Sequence, residues 1–165
     1  MDSLNVPVPA GVRRLVESLR PALSPFESVR ETPTLVAKRF DGSLPAGALE
    51  SEVRLALADA EPFDVRVAGL GAFEDPIAGP APVAYLAVES PGLEALHAEL
   101  VGAFGAVQGL EGADYVPHVT LARGGPPDAL SALEGAAVEP VAWRADELYL
   151  WDARRAEPVG RVALG

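Results

Sequence analysis

The chain has 165 residues, enough for one domain or for two small lobes that share a core. It contains no cysteine, which excludes disulfides, thiolate metal sites and cysteine nucleophiles. The formal net charge of −11 argues against broad, nonspecific binding of nucleic acid, although a small pocket for one phosphate needs only a few local donors.

The charge pattern also bears on the environment of the protein. Acidic residues number 24 against 13 basic ones, and Lys38 is the only lysine. This composition is typical of proteins from a salt-rich cytoplasm (halophilic proteins), but an acidic protein encoded by a GC-rich gene would share it. The first residues lack a secretory signal pattern, and no apolar run approaches the roughly 18 residues of a membrane span. We therefore expect a soluble, cytoplasmic protein with no membrane partner, with a monomer favoured.

The first half of the chain alternates predicted strands and helices. Apolar residues that alternate with polar ones predict strands, and apolar residues spaced three and four apart predict helices. Prolines and glycines mark where these elements begin and end. In chain order, the predicted elements are a strand at 4–8, a helix at 11–22, a strand at 32–40, a helix at 45–60 and a strand at 63–73.

A loop rich in proline and glycine at 75–82 separates the two halves. Beyond it the same patterns predict a strand at 83–88, a helix at 90–104, a strand at 115–123, a short helix at 127–136, and closing strands at 141–152 and 159–164. We predict an α+β fold, a single domain over 1–165 with two pseudo-symmetric lobes at about 1–75 and 82–165. Each lobe is a small, mostly antiparallel sheet with outer helices, the lobes enclose a central cleft, and the final strands can cross between them.

The most informative segment is Pro117-His118-Val119-Thr120-Leu121-Ala122-Arg123, on the strand predicted at 115–123. Side chains alternate along a strand, so His118 and Thr120 point to one face, while Val119 and Leu121 point to a core on the other. The segment therefore places an imidazole, which titrates near neutral pH, beside a hydroxyl.

The first half holds a related segment, Thr32-Pro33-Thr34-Leu35, in which the histidine is missing. When the two segments are aligned on Thr-Leu, Thr34 matches Thr120 and Thr32 takes the place of His118. Two similar lobes would bring their motif strands to a shared cleft. Each strand would then offer a pair of side chains that could hold a phosphate from two sides.

With both motifs in this order, the chain resembles the two-histidine (2H) phosphoesterase superfamily, the group of 2′-5′ RNA ligase-like proteins and RNA 2′,3′-cyclic phosphodiesterases. The resemblance covers nearly the whole chain. Further segments that carry it are Gly69-Leu70-Gly71-Ala72-Phe73, Tyr85-Leu86-Ala87-Val88, Leu93-Glu94-Ala95-Leu96-His97 and Ala145-Asp146-Glu147-Leu148-Tyr149-Leu150.

The resemblance implies a chemistry for the cleft. Family members carry two His-x-Thr motifs, in which one histidine is general base and the other general acid on a 2′,3′-cyclic phosphate or a 2′-5′ linkage. Their threonine hydroxyls hold phosphate oxygens, and no metal or organic cofactor is required. Applied to this chain, the resemblance implies that His118, Thr120 and Thr34 are catalytic and that the partner is the phosphate of an RNA end or cyclic nucleotide.

Three more residues are candidates for substrate binding: Thr32, Lys38 and Arg123. Lys38 shares a strand face with Thr32 and Thr34 by alternation, although a solvated strand end is the alternative for it. Arg123 has the opposite parity from His118, so it would need the twist of the strand end to reach the cleft.

The missing histidine leaves three functions open. A threonine hydroxyl does not exchange protons usefully near neutral pH, and losing one positioned acid–base group costs about 10²–10⁴-fold in rate. The other histidine, His97, lies on a predicted helix beside an apolar stripe and is not expected to reach the cleft. The protein is therefore an impaired phosphodiesterase, a non-catalytic binder of nucleotides or RNA ends, or a protein-interaction module on the same fold.

Overall fold

The structure, a computed structural model, describes residues 1–165. The chain forms three α-helices and nine β-strands. The helices are α1 (Ala10–Leu19), α2 (Ala46–Ala56) and α3 (Pro91–Phe104). The strands are β1 (Asp2–Val6), β2 (Ser28–Val29), β3 (Leu35–Phe40), β4 (Phe63–Phe73), β5 (Val83–Glu89), β6 (His118–Arg123), β7 (Val141–Ala145), β8 (Glu147–Asp152) and β9 (Glu157–Ala163).

These elements confirm the predicted α+β class, and the differences from the sequence-based elements have local causes. The helix predicted at 11–22 ends as α1 at Leu19 and tightens into a 3₁₀ turn, Arg20–Leu23, that contains a proline. The helix predicted at 127–136 is a 3₁₀ segment, Ala129–Leu133. The strand predicted at 141–152 is two strands, β7 and β8, and the two-residue β2 was not predicted.

All strand pairs are antiparallel and join one sheet in the order β7-β4-β5-β6-β3-β1-β8-β9, with β2 paired to β6 beside this path. We call β3-β1-β8-β9 the first half-sheet and β6-β5-β4-β7 the second half-sheet. The two meet where β3 pairs with β6. Strand β4 precedes the 75–82 loop and joins the second half-sheet, while β8 and β9 join the first.

A single cluster of 34 buried hydrophobic residues runs through both halves. Helix α3 packs against β3 and β4, and α2 packs against α3 and β9, so the helices cover the apolar face of the sheet. Ser90 caps α3 by accepting a hydrogen bond from the Leu93 N–H, and its own hydroxyl donates to Asp64 O, which ties the start of the helix to β4. No helix is both long and apolar enough to cross a membrane.

A β-bulge interrupts β3. Two adjacent residues of β1 pair with Val36 and Lys38, so Ala37 is an additional residue in β3. An additional residue reverses the alternation of the side chains that follow it. Ala37 and Lys38 are therefore both buried, and the half-buried positions of β3 are Val36 and Arg39.

A matching bulge interrupts β6. Two adjacent residues of β5 pair with Thr120 and Ala122, so Leu121 is the additional residue. Leu121 and Ala122 are both buried, and the half-buried positions of β6 are His118, Thr120 and Arg123. The two bulges thus give β3 and β6 the same pattern of buried and accessible positions.

Candidate active site

A cleft of about 410 Å³ lies at β3 and β6, the two strands where the half-sheets meet. This volume falls in the range of small-molecule sites, about 300–1,000 Å³. A smaller recess of about 70 Å³ adjoins it, and Thr34 lines the recess whereas Arg123 lines the larger cleft. The residues that line both spaces are Arg30, Val36, Arg39, His118 and Thr120. We refer to the two spaces together as the cleft.

The ring of His118 is held in one orientation. Its Nδ1 lies 2.6 Å from the carbonyl oxygen of Val116, and because a carbonyl only accepts, Nδ1 carries the hydrogen. In the neutral ring Nε2 is then the unprotonated nitrogen. The ring also packs edge-on against Phe73 and Tyr85, with centroid distances of 5.1 and 5.3 Å. The group that orients His118 is thus a backbone carbonyl, which the sequence did not identify.

The pKa of His118 lies below its ordinary value of 6.5. Burial is the main cause, and the positive charges of Arg39, Arg30 and Arg123 add to it, while the hydrogen bond to Val116 opposes it. A depressed pKa keeps the imidazole neutral at pH 7, where it can accept a proton from a water or a hydroxyl. His118 is therefore suited to act as a base.

Strand pairing sets the correspondence between the two motifs. Leu35 lies opposite Val119 where β3 pairs with β6. An antiparallel pair has a local twofold axis at this point, and the axis relates the residue before Leu35 to the residue before Val119. Thr34 and His118 are therefore counterparts. The two bulges, each two residues further along its strand, follow the same correspondence. In the sequence a proline comes directly before both Thr34 and His118, and this supports the same correspondence.

The alignment expected from the sequence is therefore shifted by two residues in the structure. The sequence matched Thr32 to His118, but in the structure Thr34 is the counterpart of His118 and Val36 is the counterpart of Thr120. Thr32 lies before β3, is exposed and does not line the cleft; its carbonyl accepts a long hydrogen bond of 3.5 Å from Thr34 Oγ1. The alignment on Thr-Leu is wrong because the two strands share the position of their bulge, at Ala37 and Leu121, and not the position of the Thr-Leu pair.

Lys38 does not face the cleft, which corrects the expectation from simple alternation. The bulge at Ala37 turns the Lys38 side chain into the interior, where it is 2% exposed. Its Nζ lies 2.6 Å from Glu111 Oε1 and donates to the backbone carbonyl of Arg39. Because the bulge reverses the parity, Arg39 takes the cleft face instead, and the bulge in β6 does the same for Arg123.

Three arginines line the cleft, and we call Arg30, Arg39 and Arg123 the arginine cluster. None of the three forms an ion pair with a carboxylate. Arg123 Nη1 donates to Ala78 O at 2.8 Å, and its Nε is buried with no hydrogen-bond partner. The sequence predicted Arg123 but not the other two. A chain of net charge −11 therefore carries a positively charged cleft.

Glu111 anchors β3 from behind the cleft. Its Oε1 accepts from Lys38 Nζ and from the Val107 N–H at 3.0 Å, and its Oε2 accepts from the Arg39 N–H at 2.8 Å. Burial raises the pKa of Glu111, but the hydrogen bonds from Lys38 and from the two backbone N–H groups outweigh it and hold the pKa below its usual range. The ionised carboxylate thus holds the backbone from which the Arg39 side chain projects.

His97 belongs to the same anchoring region. It is buried, its Nδ1 lies 2.7 Å from Ala37 O, and its Nε2 accepts from the Gly112 N–H at 3.0 Å. Its ring stacks on Tyr115 at 3.7 Å, and the Tyr115 hydroxyl donates to Val36 O at 2.8 Å. Both nitrogens of His97 are engaged, and it does not line the cleft, as the sequence predicted.

The larger cleft also has apolar and acidic lining residues that do not line the recess. The apolar ones include Phe73, Ile77 and Leu110, and the acidic ones are Asp75 and Asp114. Aromatic and aliphatic walls of this kind suit the nucleoside part of a ligand. No group of three or more His, Asp or Glu side chains in the protein is placed to hold a metal ion.

Comparison with known proteins adds to this geometry. The model of the 2′-5′ RNA ligase superfamily matches residues 8–157 of the chain. Comparison with curated protein sequences finds no match. Among solved structures, E. coli LigT complexed with 3′-AMP has a TM-score of 0.69 at 20% sequence identity and covers 99% of this chain and 97% of its own. TT0787 of Thermus thermophilus has a TM-score of 0.59 at 23% identity, covering 99% and 97%. At these identities the structural similarity shows the fold.

Proposed function

Because the chain belongs to the 2′-5′ RNA ligase superfamily, we propose that it is a cyclic phosphodiesterase that acts on RNA ends or cyclic nucleotides and that one missing proton carrier slows it. The observation that supports this most directly is the composition of the cleft. His118 and Thr120 lie in the same cleft as the arginine cluster, and none of those arginines forms an ion pair with a carboxylate.

In the proposed reaction, a water attacks the phosphorus of a 2′,3′-cyclic phosphate. His118 Nε2 accepts a proton from this water as the new P–O bond forms. Guanidinium groups of the arginine cluster and the Thr120 hydroxyl stabilise the negative charge that builds up on the phosphate oxygens. The bond between phosphorus and one ribose oxygen then breaks, and the product is a phosphomonoester.

The leaving ribose oxygen needs a proton, and this is where the site is incomplete. The counterpart of His118 is Thr34, whose hydroxyl can donate a hydrogen bond but does not release a proton near neutral pH. The leaving oxygen therefore takes its proton from solvent. Losing one positioned acid–base group costs about 10²–10⁴-fold, so turnover is slow compared with a site that has two histidines.

A specific observation favours the second candidate, a non-catalytic binder of nucleotides or RNA ends. On β3 and the residue before it, the counterpart of His118 is Thr34 and the counterpart of Thr120 is Val36, so this side of the cleft supplies neither a second histidine nor a threonine at the matching position. The arginines that attract a phosphate are present all the same. A protein-interaction module on the same fold is the third candidate.

Hydrolysis of nucleoside 2′,3′-cyclic phosphates by the wild type and by His118→Ala tests the proposal. The assay is run in concentrated KCl and in dilute buffer, because the acidic surface favours salt. Turnover that disappears in His118→Ala supports the enzyme. No turnover in either salt, together with binding of the same nucleotides, assigns the protein to the binder class. Neither turnover nor binding leaves the interaction module.

A further inference from the structure

The arginine cluster carries more positive charge than the proposed reaction needs. A cyclic phosphodiester has one negative charge, whereas Arg30, Arg39 and Arg123 bring three positive charges to one cleft. None of the three forms an ion pair with a carboxylate. Asp75 and Asp114 line the larger cleft, but no carboxylate lines the recess that Arg30 and Arg39 share with His118. The neutral ring of His118 adds no charge of its own.

The three guanidinium groups share one cleft, where their like charges repel one another. Burial lowers the pKa of Arg30, and the charges of Arg123 and Arg39 lower it further. Like charges that are held together without counter-ions destabilise one another, and a bound anion removes this repulsion. The favourable change grows with the charge of the anion.

Backbone contacts hold the members of the cluster in place. The Arg30 N–H donates to Leu121 O at 2.8 Å, and the Arg39 N–H donates to Glu111 Oε2 at 2.8 Å. Arg123 is fixed through its side chain, by the hydrogen bond to Ala78 O, and its buried Nε still lacks a partner. The backbones of Arg30 and Arg39 and the guanidinium of Arg123 are thus fixed before a ligand arrives, which lowers the entropy cost of binding.

Symmetry gives the cluster two equivalent donors. Arg39 follows the bulge of β3 as Arg123 follows the bulge of β6, so the two arginines are counterparts on the two half-sheets. Arg30 lines the same cleft as both of them. A phosphate group with two negative charges offsets the charge of both arginines, whereas a singly charged cyclic phosphate offsets that of one.

From the charge and symmetry of the cluster, we propose that the preferred ligand is a nucleotide whose phosphate end carries at least two negative charges. The shared chemistry is a terminal phosphomonoester or a pyrophosphate, and the apolar wall at Phe73, Ile77 and Leu110 receives the nucleoside. The inference rests on the proposed function in one respect, that the cleft receives a nucleotide phosphate.

Isothermal titration calorimetry tests this at mildly alkaline pH, where a phosphomonoester is a dianion because its second pKa is about 6. The ligands are adenosine 2′,3′-cyclic phosphate, adenosine 3′-phosphate, adenosine diphosphate and inorganic pyrophosphate. We expect at least one of the multiply charged nucleotides to bind about tenfold or more tightly than the cyclic phosphate, since hydrogen bonds to charged groups are each worth about a tenfold change in affinity or more. The 3′-phosphate and diphosphate arms show which of the two phosphate chemistries is preferred.

Variants attribute the preference to the cluster. Arg39→Gln is expected to weaken binding of the multiply charged ligands about tenfold and to affect the cyclic phosphate less. The control is Arg144→Gln, which removes an exposed arginine outside the cleft and should change none of the affinities. Circular dichroism confirms that each variant is folded.

The outcomes separate this inference from the proposed function. Equal affinities for all nucleotides, or an Arg39→Gln effect that is the same for every ligand, overturn the charge preference while leaving phosphodiesterase activity intact. If the wild type hydrolyses no cyclic phosphate but shows the charge preference, the proposed enzymatic function is overturned and this inference is supported. Binding of none of the four ligands, pyrophosphate included, overturns the inference directly.

Discussion

Thr34 and His118 are counterparts across the pairing of β3 with β6, each one residue before the point where the two strands lie opposite each other. Thr34 lines the small recess of the cleft, and His118 lines both the recess and the larger space. The missing proton carrier of the proposed reaction therefore belongs at position 34, and a histidine at this position is the most direct way to restore it.

The substitution Thr34→His is expected to raise the rate of cyclic phosphodiester hydrolysis by about 10²–10⁴-fold, the usual contribution of one acid–base group. The measurement is kcat/KM on a nucleoside 2′,3′-cyclic phosphate. The control is Thr32→His, which adds the same side chain two residues away at an exposed position outside the cleft and should leave the rate unchanged. A gain in Thr32→His alone would show that the alignment on Thr-Leu is the functional one.

The activity of the wild type should depend on the ionisation of His118. Because burial and the neighbouring arginines hold its pKa below 6.5, His118 remains a competent base down to about that pH, and kcat/KM should fall only at lower pH as the ring is protonated. With only two histidines in the chain, proton NMR of the wild type and of His118→Asn assigns the titration. A midpoint above 6.5 in the ligand-free protein contradicts the electrostatic account.

The same pKa shift predicts how stability changes with pH. The unfolded chain takes up a proton on this histidine near pH 6.5, whereas the folded protein takes it up only at lower pH, so protonation favours the unfolded state. The contribution of His118 is therefore constant above pH 6.5, decreases as the pH falls towards the folded pKa and levels out below it. Urea denaturation of the wild type and of His118→Asn should show this decrease in the wild type only.

Removing one partner of the buried Lys38–Glu111 pair should destabilise the protein strongly. Both side chains are almost fully buried, and Lys38→Met would leave the Glu111 carboxylate without its counter-charge, at a cost of about 3–5 kcal/mol in the free energy of unfolding. The control is Arg66→Met, which breaks the exposed pair with Glu89 and should cost less than about 1 kcal/mol. The free energy of unfolding is measured by urea denaturation. If it falls by less than about 1 kcal/mol in both variants, the Lys38–Glu111 pair is not isolated from water.

Gly79→Ala should weaken phosphate binding through Arg123. A Cβ on Gly79 would overlap Arg123 Nη1 and displace the guanidinium from its hydrogen bond to Ala78 O, so we expect about a tenfold loss of affinity for adenosine 3′-phosphate. Gly42→Ala is the matched control, because Gly42 has a similar φ of +83°, against +80° for Gly79, and open space around its Cβ. Both variants carry the same backbone strain, so a loss in both would attribute the effect to strain.

Local patterns in the sequence predicted most of the secondary structure, and four of the six candidate site residues line the cleft. Strand β4 occupies the predicted residues 63–73, and Ser90 caps α3 where the helix was expected to begin. His118 and Thr120 lie on one face because they precede the bulge of β6, where simple alternation still holds. The single domain over 1–165 stays a prediction.

The rest of the site depends on contacts between residues far apart in the chain. A bulge is set by how a strand pairs with its neighbour, so alternation alone placed Lys38 in the cleft and Arg39 out of it. Arg30 comes from the segment after the two-residue β2, which is too short to give a pattern. One signal was present, since a proline precedes both Thr34 and His118, and alignment on the prolines gives the correspondence that the structure has.

The pairing of β1 with β8 has a consequence for how the protein folds during synthesis. Leu4 lies opposite Leu150, so β1 can pair with β8 only after the ribosome has added another 146 residues. Until then the nascent chain exposes the unpaired edge of β1, which is a site for aggregation, and contacts of such long sequence separation slow folding. A fragment that ends in the 75–82 loop would lack β8 and β9. It would also carry β4 without β5 and β7, the two strands that flank it.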